Sequence, residues 1–401
     1  MYRILLFRPA YSRAEALMLM TDELHRGLLE LGHDCELLDM GSGYFKNDLA
    51  TAIQKHVDFI LFLGPVTVYD FLYNGVPLTN ELQIPVITYL ADPPYIHIDR
   101  FEVQLYHHII LYLNKVQAVN FTKWCLPNYK AKVNCFVPHA GISNNLPFTE
   151  EQFYKRSNRI LFVASYPREV GKKPWDNSED ELTPKYWRNF MEDVYCCLDE
   201  NTGIDEAIMY MINERGLSFE ESMQSDFISH TFRKVWNYFY AVTRIKTFDF
   251  LVDNGHEIDL YGVGWPESVK NYSNVAFKGE INYLDNINLL SSYKLSVNPV
   301  QQAHASHERV LNALANGCQS LLYKGTYFAE TFDGYKGLHY IPTKGDIPDS
   351  VNVEIKKAIN EMPFKEIQRT RQYVLENHMW LNRAEQIIDI FNLSNLKVVY
   401  Y

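Results

Sequence analysis

The sequence predicts an α/β protein made of two doubly wound parallel sheets, and three observations carry that prediction. Near-continuous apolar runs of strand length, Arg3–Phe7, Asp58–Leu63 and Ile84–Leu90, alternate with segments of helical period. Strands without polar alternation are buried on both faces, which requires helices on both sides of the sheet. The pattern restarts at Asn158–Ser165 and continues through Glu257–Tyr261, Val275–Phe277, Leu295–Val297 and Gln319–Tyr323. At 401 residues the chain also exceeds what one hydrophobic core usually organises.

Taken in order, Arg3–Phe7 opens as a buried strand, and Ala14–Leu31 has apolar residues at helical spacing. Gly32 is a natural helix terminator, after which His33–Leu38 returns to the sheet. Asp58–Leu63 and Ile84–Leu90 follow as strands, and Ala118–Phe121 and Asn134–Val137 add two more. Residues 1–150 therefore form one Rossmann-like domain and 151–375 a second. In the second half, the stretch from Trp175 to about Thr231 is acidic, helical in period and free of strand signals. It reads as a helical insertion over about 175–235, followed by the expected helix Tyr238–Asn254. A lid or packing element and an acceptor- or partner-binding element both fit it. Asp349 to the C-terminus is mainly helical.

Composition narrows the function. The net charge of −11, with no basic run longer than a pair, argues against a nucleic-acid surface. Six cysteines without CxxC or metal-ligand spacing read as reduced thiols in a cytoplasmic protein, and no metal site is expected. The apolar opening is cut short by Arg8-Pro9, too early for a signal peptide. No run approaches the roughly 18 apolar residues of a membrane span, so membrane contact would be peripheral. The 28 Tyr and 23 Phe suit either carbohydrate stacking or large cores.

The chemistry concentrates between Leu260 and Gly317. Two strands end in the loops Tyr261-Gly-Val-Gly-Trp265 and Lys278-Gly-Glu-Ile281. A third, Leu295–Val300, leads into a helix from about Ser306 to Asn316, with Ser306 as N-cap and His307, Glu308 and Arg309 in its first turn. A helix start at a sheet's carboxyl edge directs free N–H groups at an anion, and Arg309 adds a cation. Glu308 suits sugar hydroxyls, or else complements the helix dipole.

This stretch resembles the C-terminal half of a nucleotide-sugar glycosyltransferase of the two-domain GT-B fold, family 1/4-type, and most of all the CgeB-like spore-protein group. The resemblance is best over 257–391, weaker over 1–170 and absent over the insertion. It implies two Rossmann-like domains facing a cleft, with the first on the acceptor side and residues 376–401 forming a helix that crosses back to it; His378 and Arg383 have the spacing of the family's tail. The family's Val-Leu-Glu-Ala-Met-Ala-x-Gly run appears here as Val310-Leu-Asn-Ala-Leu-Ala-Asn-Gly317, so Asn312 takes the place of a ribose-binding Glu. The earlier acid of the wider family's E-x7-E pattern falls on His304. Gly262 and Trp265 match the family's loop of close ligand approach, Trp265 either stacking on a base or packing on the domain. Lys278, Gly279, Glu280 and Ile281 match the loop that reads the base through its backbone. Arg168, backed by Lys172 and Lys173, matches a cation aimed at the leaving diphosphate. Asp92, in Ala91-Asp-Pro-Pro94, resembles the family's Asp-x-Pro element and is a candidate base, with His97 and His139 as alternatives, or it merely starts a turn.

The resulting expectation is a metal-independent hexosyltransferase with no cofactor. It would move a sugar from a nucleoside diphosphate sugar to a hydroxyl of a glycan, protein or lipid-linked acceptor. A nucleotide-sugar epimerase or phosphorylase is one alternative; a catalytically degenerate protein of a cell or spore surface is the other.

Overall fold

The computed structural model describes residues 1–10, 15–64, 72–73, 75–101, 103–167, 173–176, 185–299 and 303–396, with the backbone alone at 221 and 222. The chain divides into two compact units, Met1–Ala140 with Asn377–Tyr401, and Gly141–Glu376.

The first unit holds β1 (Arg3–Arg8), β2 (Asp34–Asp39), β3 (Phe59–Leu63), a short hairpin of β4 (Leu72–Tyr73) and β5 (Val76–Pro77), β6 (Val86–Tyr89), β7 (Ile109–Tyr112) and β8 (Val133–Phe136). Six of these form one parallel sheet in the order β2-β1-β3-β6-β7-β8. Its helices are α1 (Ala16–Glu30), α2 (Phe45–Ala52), the single turn α3 (Leu78–Glu81) and α4 (Lys115–Cys125), with the C-terminal helix Trp380–Ser394 packed on α1. Helix α1 ends as its sequence requires. Gly32 adopts φ 82°, and the N–H groups of Gly32 and His33 donate to Leu29 O and Leu28 O at 3.0 and 3.1 Å.

One expectation here is corrected. Ala118–Phe121 is not a strand but the middle of α4, because Asn114 Oδ1 accepts from Val116 N (2.8 Å) and Gln117 N (3.2 Å) and starts a helix. The strand is the preceding run Ile109–Tyr112, all four residues buried.

The second unit carries the parallel sheet β11-β10-β9-β12-β13-β14, with β9 at Ile160–Val163, β10 at Ile258–Tyr261, β11 at Val275–Gly279, β12 at Leu295–Asn298, β13 at Gln319–Tyr323 and β14 at Leu338–Ile341. Its helices are α5 (Glu150–Lys155), α6 (Lys185–Cys197), α7 (Ile204–Glu214), α8 (Glu221–Asp253), α9 (Tyr283–Leu290), α10 (Glu308–Ala315), α11 (Thr326–Thr331), α12 (Asp349–Asn360) and α13 (Phe364–Asn377). The core on one sheet face gathers Ile160, Phe162, Phe248, Leu260, Trp265, Leu295 and Leu321.

Two boundaries differ from expectation. The units divide at residue 140 rather than 150, because the irregular segment that follows is tied to α10: Asn312 Oδ1 accepts from Ile142 N (2.7 Å), and Asn316 accepts from Asn144 N (2.9 Å) and donates to Ile142 O (2.8 Å). The insertion also has no separate end. The 33-residue α8, about 50 Å long, runs unbroken from the insertion through the segment expected as a distinct helix. Within the insertion, α6 packs on α8 through Trp187, whose ring stacks on Phe227 at 5.0 Å and whose N–H donates to Thr231 Oγ1 at 2.9 Å.

Candidate functional site

In the second sheet the chain proceeds outward from β9 through β10 to β11, then returns to the other side of β9 for β12, β13 and β14. The carboxyl ends of β9 and β12 therefore flank a topological switch point, where loops part and leave a crevice. The crevice is lined by Val163, Asn298, Arg309 and Asn312 among others. Helix α10 starts here. His307, not Ser306, is its N-cap, and Ser306 is fully buried one residue earlier. Among the described residues the Arg309 guanidinium makes one hydrogen bond, from Nη1 to Val163 O at 3.1 Å, which fixes the helix's first turn against the end of β9. His307 Nδ1 lies 3.3 Å from Arg309 N and 3.0 Å from Glu308 Oε2. Bare, it accepts from the backbone; protonated, it donates to the carboxylate.

The far end of α10 is fixed as firmly. Buried Arg156 donates to Gly317 O (2.6 Å), Asn316 O (2.9 Å) and Tyr293 O (3.4 Å), and Arg371 Nε donates to Ala315 O (3.0 Å). Cations at the C-terminal carbonyls complement the helix dipole. The N-terminal N–H groups face the sheet edge, where that of Arg309 already has His307 Nδ1 as its acceptor at 3.3 Å.

The site residues expected from sequence fall in several places. Arg309, Glu308 and His307 meet at the switch point, and Glu280 and Ile281 follow β11 at the same edge. Gly279, at φ 83°, has open space around it. Lys278 does not belong to that loop. It is the extra residue of a bulge, since Leu260 pairs with Phe277 and Tyr261 with Gly279, and its Nζ lies 4.0 Å from Asp259.

Three further residues serve the fold. Trp265 is 8% exposed, packs on Phe162, Phe248 and Tyr166 and donates to Ala164 O at 2.7 Å, so its ring offers no face to a base. Gly262 adopts φ 137°, and a Cβ there would overlap the Ala164 carbonyl; the close approach it permits is between the loops after β9 and β10, not to a ligand. Asn312 is 1% exposed, and its amide accepts from Ile142 N on one side and donates to the Tyr283 hydroxyl (2.8 Å) on the other, so it ties α10 to both segments. Arg168 and Lys172 lie outside the described residues. Lys173 lies within them and is paired with Glu192 at 2.5 Å.

Two polar residues at the switch point escaped the sequence reading. Asn298, the last residue of β12, is 3% exposed, and its Oδ1 has no hydrogen-bond partner among the described residues. Its position at a strand's carboxyl end, before Pro299, was the available signal. Tyr283, the first residue of α9, carries no sequence signal. Burial, reinforced by the Glu308 carboxylate, holds its phenol well above the ordinary range, so it remains a donor.

In the first unit, Asp92 follows β6 at the sheet's carboxyl edge, half-exposed, with His97 Nε2 3.6 Å from its Oδ2. His139 is buried, and its carbonyl accepts from Arg383 Nε at 3.1 Å. Arg383 is itself buried and also donates to Gln386 (2.7 Å) and Asn377 O (3.3 Å), so the pair anchors the C-terminal helix.

Residues 244–389 match the sequence model of a family described as glycosyl transferase-like. No curated protein matches the chain. Among solved structures, a sucrose-phosphate synthase of Thermosynechococcus elongatus aligns over 98% of this chain and 99% of its own, at TM-score 0.57 and 8% identity. AviGT4, a glycosyltransferase involved in avilamycin A biosynthesis, aligns over 98% and 97%, at TM-score 0.50 and 13% identity. HepE (Alr3699) of Anabaena, in complex with UDP-glucose, aligns over 99% and 100%, at TM-score 0.50 and 12% identity. Likeness at these identities concerns the fold. The chain has the two-domain α/β fold of GT-B glycosyltransferases, with two six-stranded parallel sheets, and its residues 244–389 carry a glycosyl transferase-like sequence.

Proposed function

We propose that this protein is a glycosyltransferase of the CgeB-like group, moving a hexosyl unit from a nucleoside diphosphate sugar to a hydroxyl of a glycan, protein or lipid-linked acceptor in the cytoplasm. The observation that carries the reading is Arg309 braced on Val163 O at the β9–β12 switch point, beside the N-terminus of a helix held at both ends. In the transfer, the acceptor oxygen bonds to the anomeric carbon while the bond from that carbon to the diphosphate oxygen breaks. The electron pair leaves on the diphosphate. Arg309 and the first turn of α10 would take up that charge, with Arg168 as a further cation, and donors already in place need no reorganisation as the charge develops. Glu308 would bind sugar hydroxyls, and the backbone at 279–281 would read the base. Asp92 is the proposed base for the acceptor proton, with His97 beside it. Because HepE was solved with UDP-glucose, UDP is the first base to try.

The test is thermal shift against UDP, GDP, dTDP, CDP and ADP, each with magnesium and with EDTA. Ligand at a hundred times its Kd adds about 2.7 kcal/mol. A shift with one base that survives EDTA supports a metal-independent transferase and gives the donor class. A shift that needs magnesium retains the transferase and overturns metal independence. No shift with any nucleotide overturns the reading in favour of a degenerate, structural protein.

A further inference from the structure

The acidic turn between α6 and α7 lies along the carboxyl edge of the second sheet. Glu206 Oε2 sits 2.7 Å from His304 Nε2 in the loop between β12 and α10. Glu200 is 3.7 Å from Lys324, the residue after β13, and Asp199 is 4.0 Å from Lys344, beyond β14. The two lysine pairs are long and about half exposed, so they contribute little. The histidine pair is enclosed, with the His304 side chain 14% and the Glu206 side chain 31% accessible.

His304 also completes a chain of donors. Its Nδ1 is 2.9 Å from Thr326 Oγ1, while Thr326 donates from both N (2.7 Å) and Oγ1 (3.1 Å) to Ala303 O. With the Thr326 proton directed at Ala303, the hydroxyl oxygen is an acceptor and Nδ1 must be the donor. Among the described residues Nε2 makes no hydrogen bond; the Glu206 carboxylate 2.7 Å away is an ion-pair partner, which favours the imidazolium over a ring with a bare Nε2 lone pair facing that oxygen. The loop 303–307, which delivers α10 to the switch point, is thus pinned by a charged histidine whose counter-ion comes from the insertion.

We infer that Glu206 is a positioning residue for the diphosphate site: through His304 it fixes the loop in front of α10, so the insertion sets the anion affinity of the switch point. This rests on the function proposed above. The Glu206 carboxylate beside it raises the His304 titration above the ordinary histidine range against the opposing effect of burial, with Asp205 of α7 and the Asn201 backbone acting the same way. The other charged groups at this edge are Glu200, Asp199, Lys324 and Lys344, with His307 and Glu308 on the segment itself. The pinned state is therefore present at low pH and lost as pH rises through that raised value.

The test compares wild type with Glu206→Gln, which keeps an acceptor for Gly203 N, now 2.9 Å from Glu206 Oε2. The probe is whichever of UDP, GDP, dTDP, CDP and ADP binds wild type most tightly, titrated calorimetrically from pH 5.5 to 8.5. The ratio of the two Kd values at each pH cancels the ligand's own titration. The ratio should be about tenfold at pH 5.5, as expected for a lost, partly buried ion pair, and fall towards one at high pH. In imidazole NMR spectra the His304 acid constant should rise in the variant, because the carboxylate that favours the protonated ring is gone. Glu206→Asp should recover part of both effects. If a nucleotide binds and the ratio is flat with pH or equal to one, the inference fails and the functional reading stands. If no nucleotide binds wild type, both fall.

Discussion

Replacing Arg309 with Ala removes one hydrogen bond within the protein, from Nη1 to Val163 O, made by a half-buried side chain. Its contribution to stability is about 1 kcal/mol, since protein–protein hydrogen bonds largely replace bonds to water. The effect on a diphosphate should be much larger. A guanidinium–phosphate contact is charge-assisted and often bidentate, worth about 2–4 kcal/mol, or roughly 30- to 1000-fold in Kd. The α10 N-terminus survives the substitution, because Arg156 and Arg371 hold its other end, so residual binding should remain. Arg309→Lys keeps the charge without the fork and should fall between the two. Calorimetric titration with the nucleoside diphosphate gives Kd, and a melt of each variant gives the stability change. Lys278→Ala is the internal comparison: Lys278 faces Asp259 from a bulge and its loss should change Kd by less than about twofold, within the range of a surface substitution. The reasoning fails if Arg309→Ala binds like wild type, or if Lys278→Ala loses as much.

Asn298→Leu removes a buried acceptor that has no partner among the described residues; it should stabilise the second unit by about 1 kcal/mol, seen as a raised Tm, while weakening nucleotide binding. Loss of stability would mean that the acceptor is already satisfied. Arg156→Met strips three carbonyls of their buried donor and should cost about 3–5 kcal/mol in denaturant unfolding of the second unit; a loss under about 1 kcal/mol would show that α10 does not depend on that cap. In the first unit, burial lowers His108 to about 3, and burial reinforced by Arg383 lowers His378 to about 4. Both stay neutral in the folded state but take up protons on unfolding below about pH 6.5, so stability should fall with pH by about 1.4 kcal/mol per unit for each group. His108→Gln should remove one proton's share of that slope between about pH 6 and 4; an unchanged slope would refute the assignment.

The sheets were legible in the sequence because buried parallel strands are continuous apolar runs, and strand content is a local property. What failed was local competition. Ala118–Phe121 carries apolar residues, yet Asn114 four residues earlier caps a helix, and that cap outweighs β propensity. The candidate site was legible where backbone geometry alone places its residues. A helix leaving a strand end with Arg in its first turn can be read in one dimension, and 307–309 do lie at the start of α10, although His307 and not Ser306 is the cap. It was not legible where one sequence motif has two uses. Gly262 and Trp265 pattern like a ligand loop, but their freedom and bulk are spent between β9 and β10. The His304–Glu206 pair joins residues 98 positions apart in sequence, beyond any periodic signal.

Asn312 stands where the glycosyltransferase pattern that this stretch resembles has an acid, and its contacts show what an amide does at that position. A carboxylate there would be nearly fully buried and would face the Tyr283 hydroxyl on one side and the Ile142 N–H on the other. Asn presents an acceptor to the N–H and a donor to the phenol oxygen, so both contacts are made with no buried charge to compensate. One turn on, Asn316 repeats the arrangement with Asn144 and Ile142, and Arg156 and Arg371 close the carbonyl end. The side-chain amides of Asn312 and Asn316 are thereby committed to the second unit itself. Under the proposed function, Arg309, braced on Val163 O, and the first turn of α10 would meet the diphosphate, and donors already in place need no reorganisation as it departs.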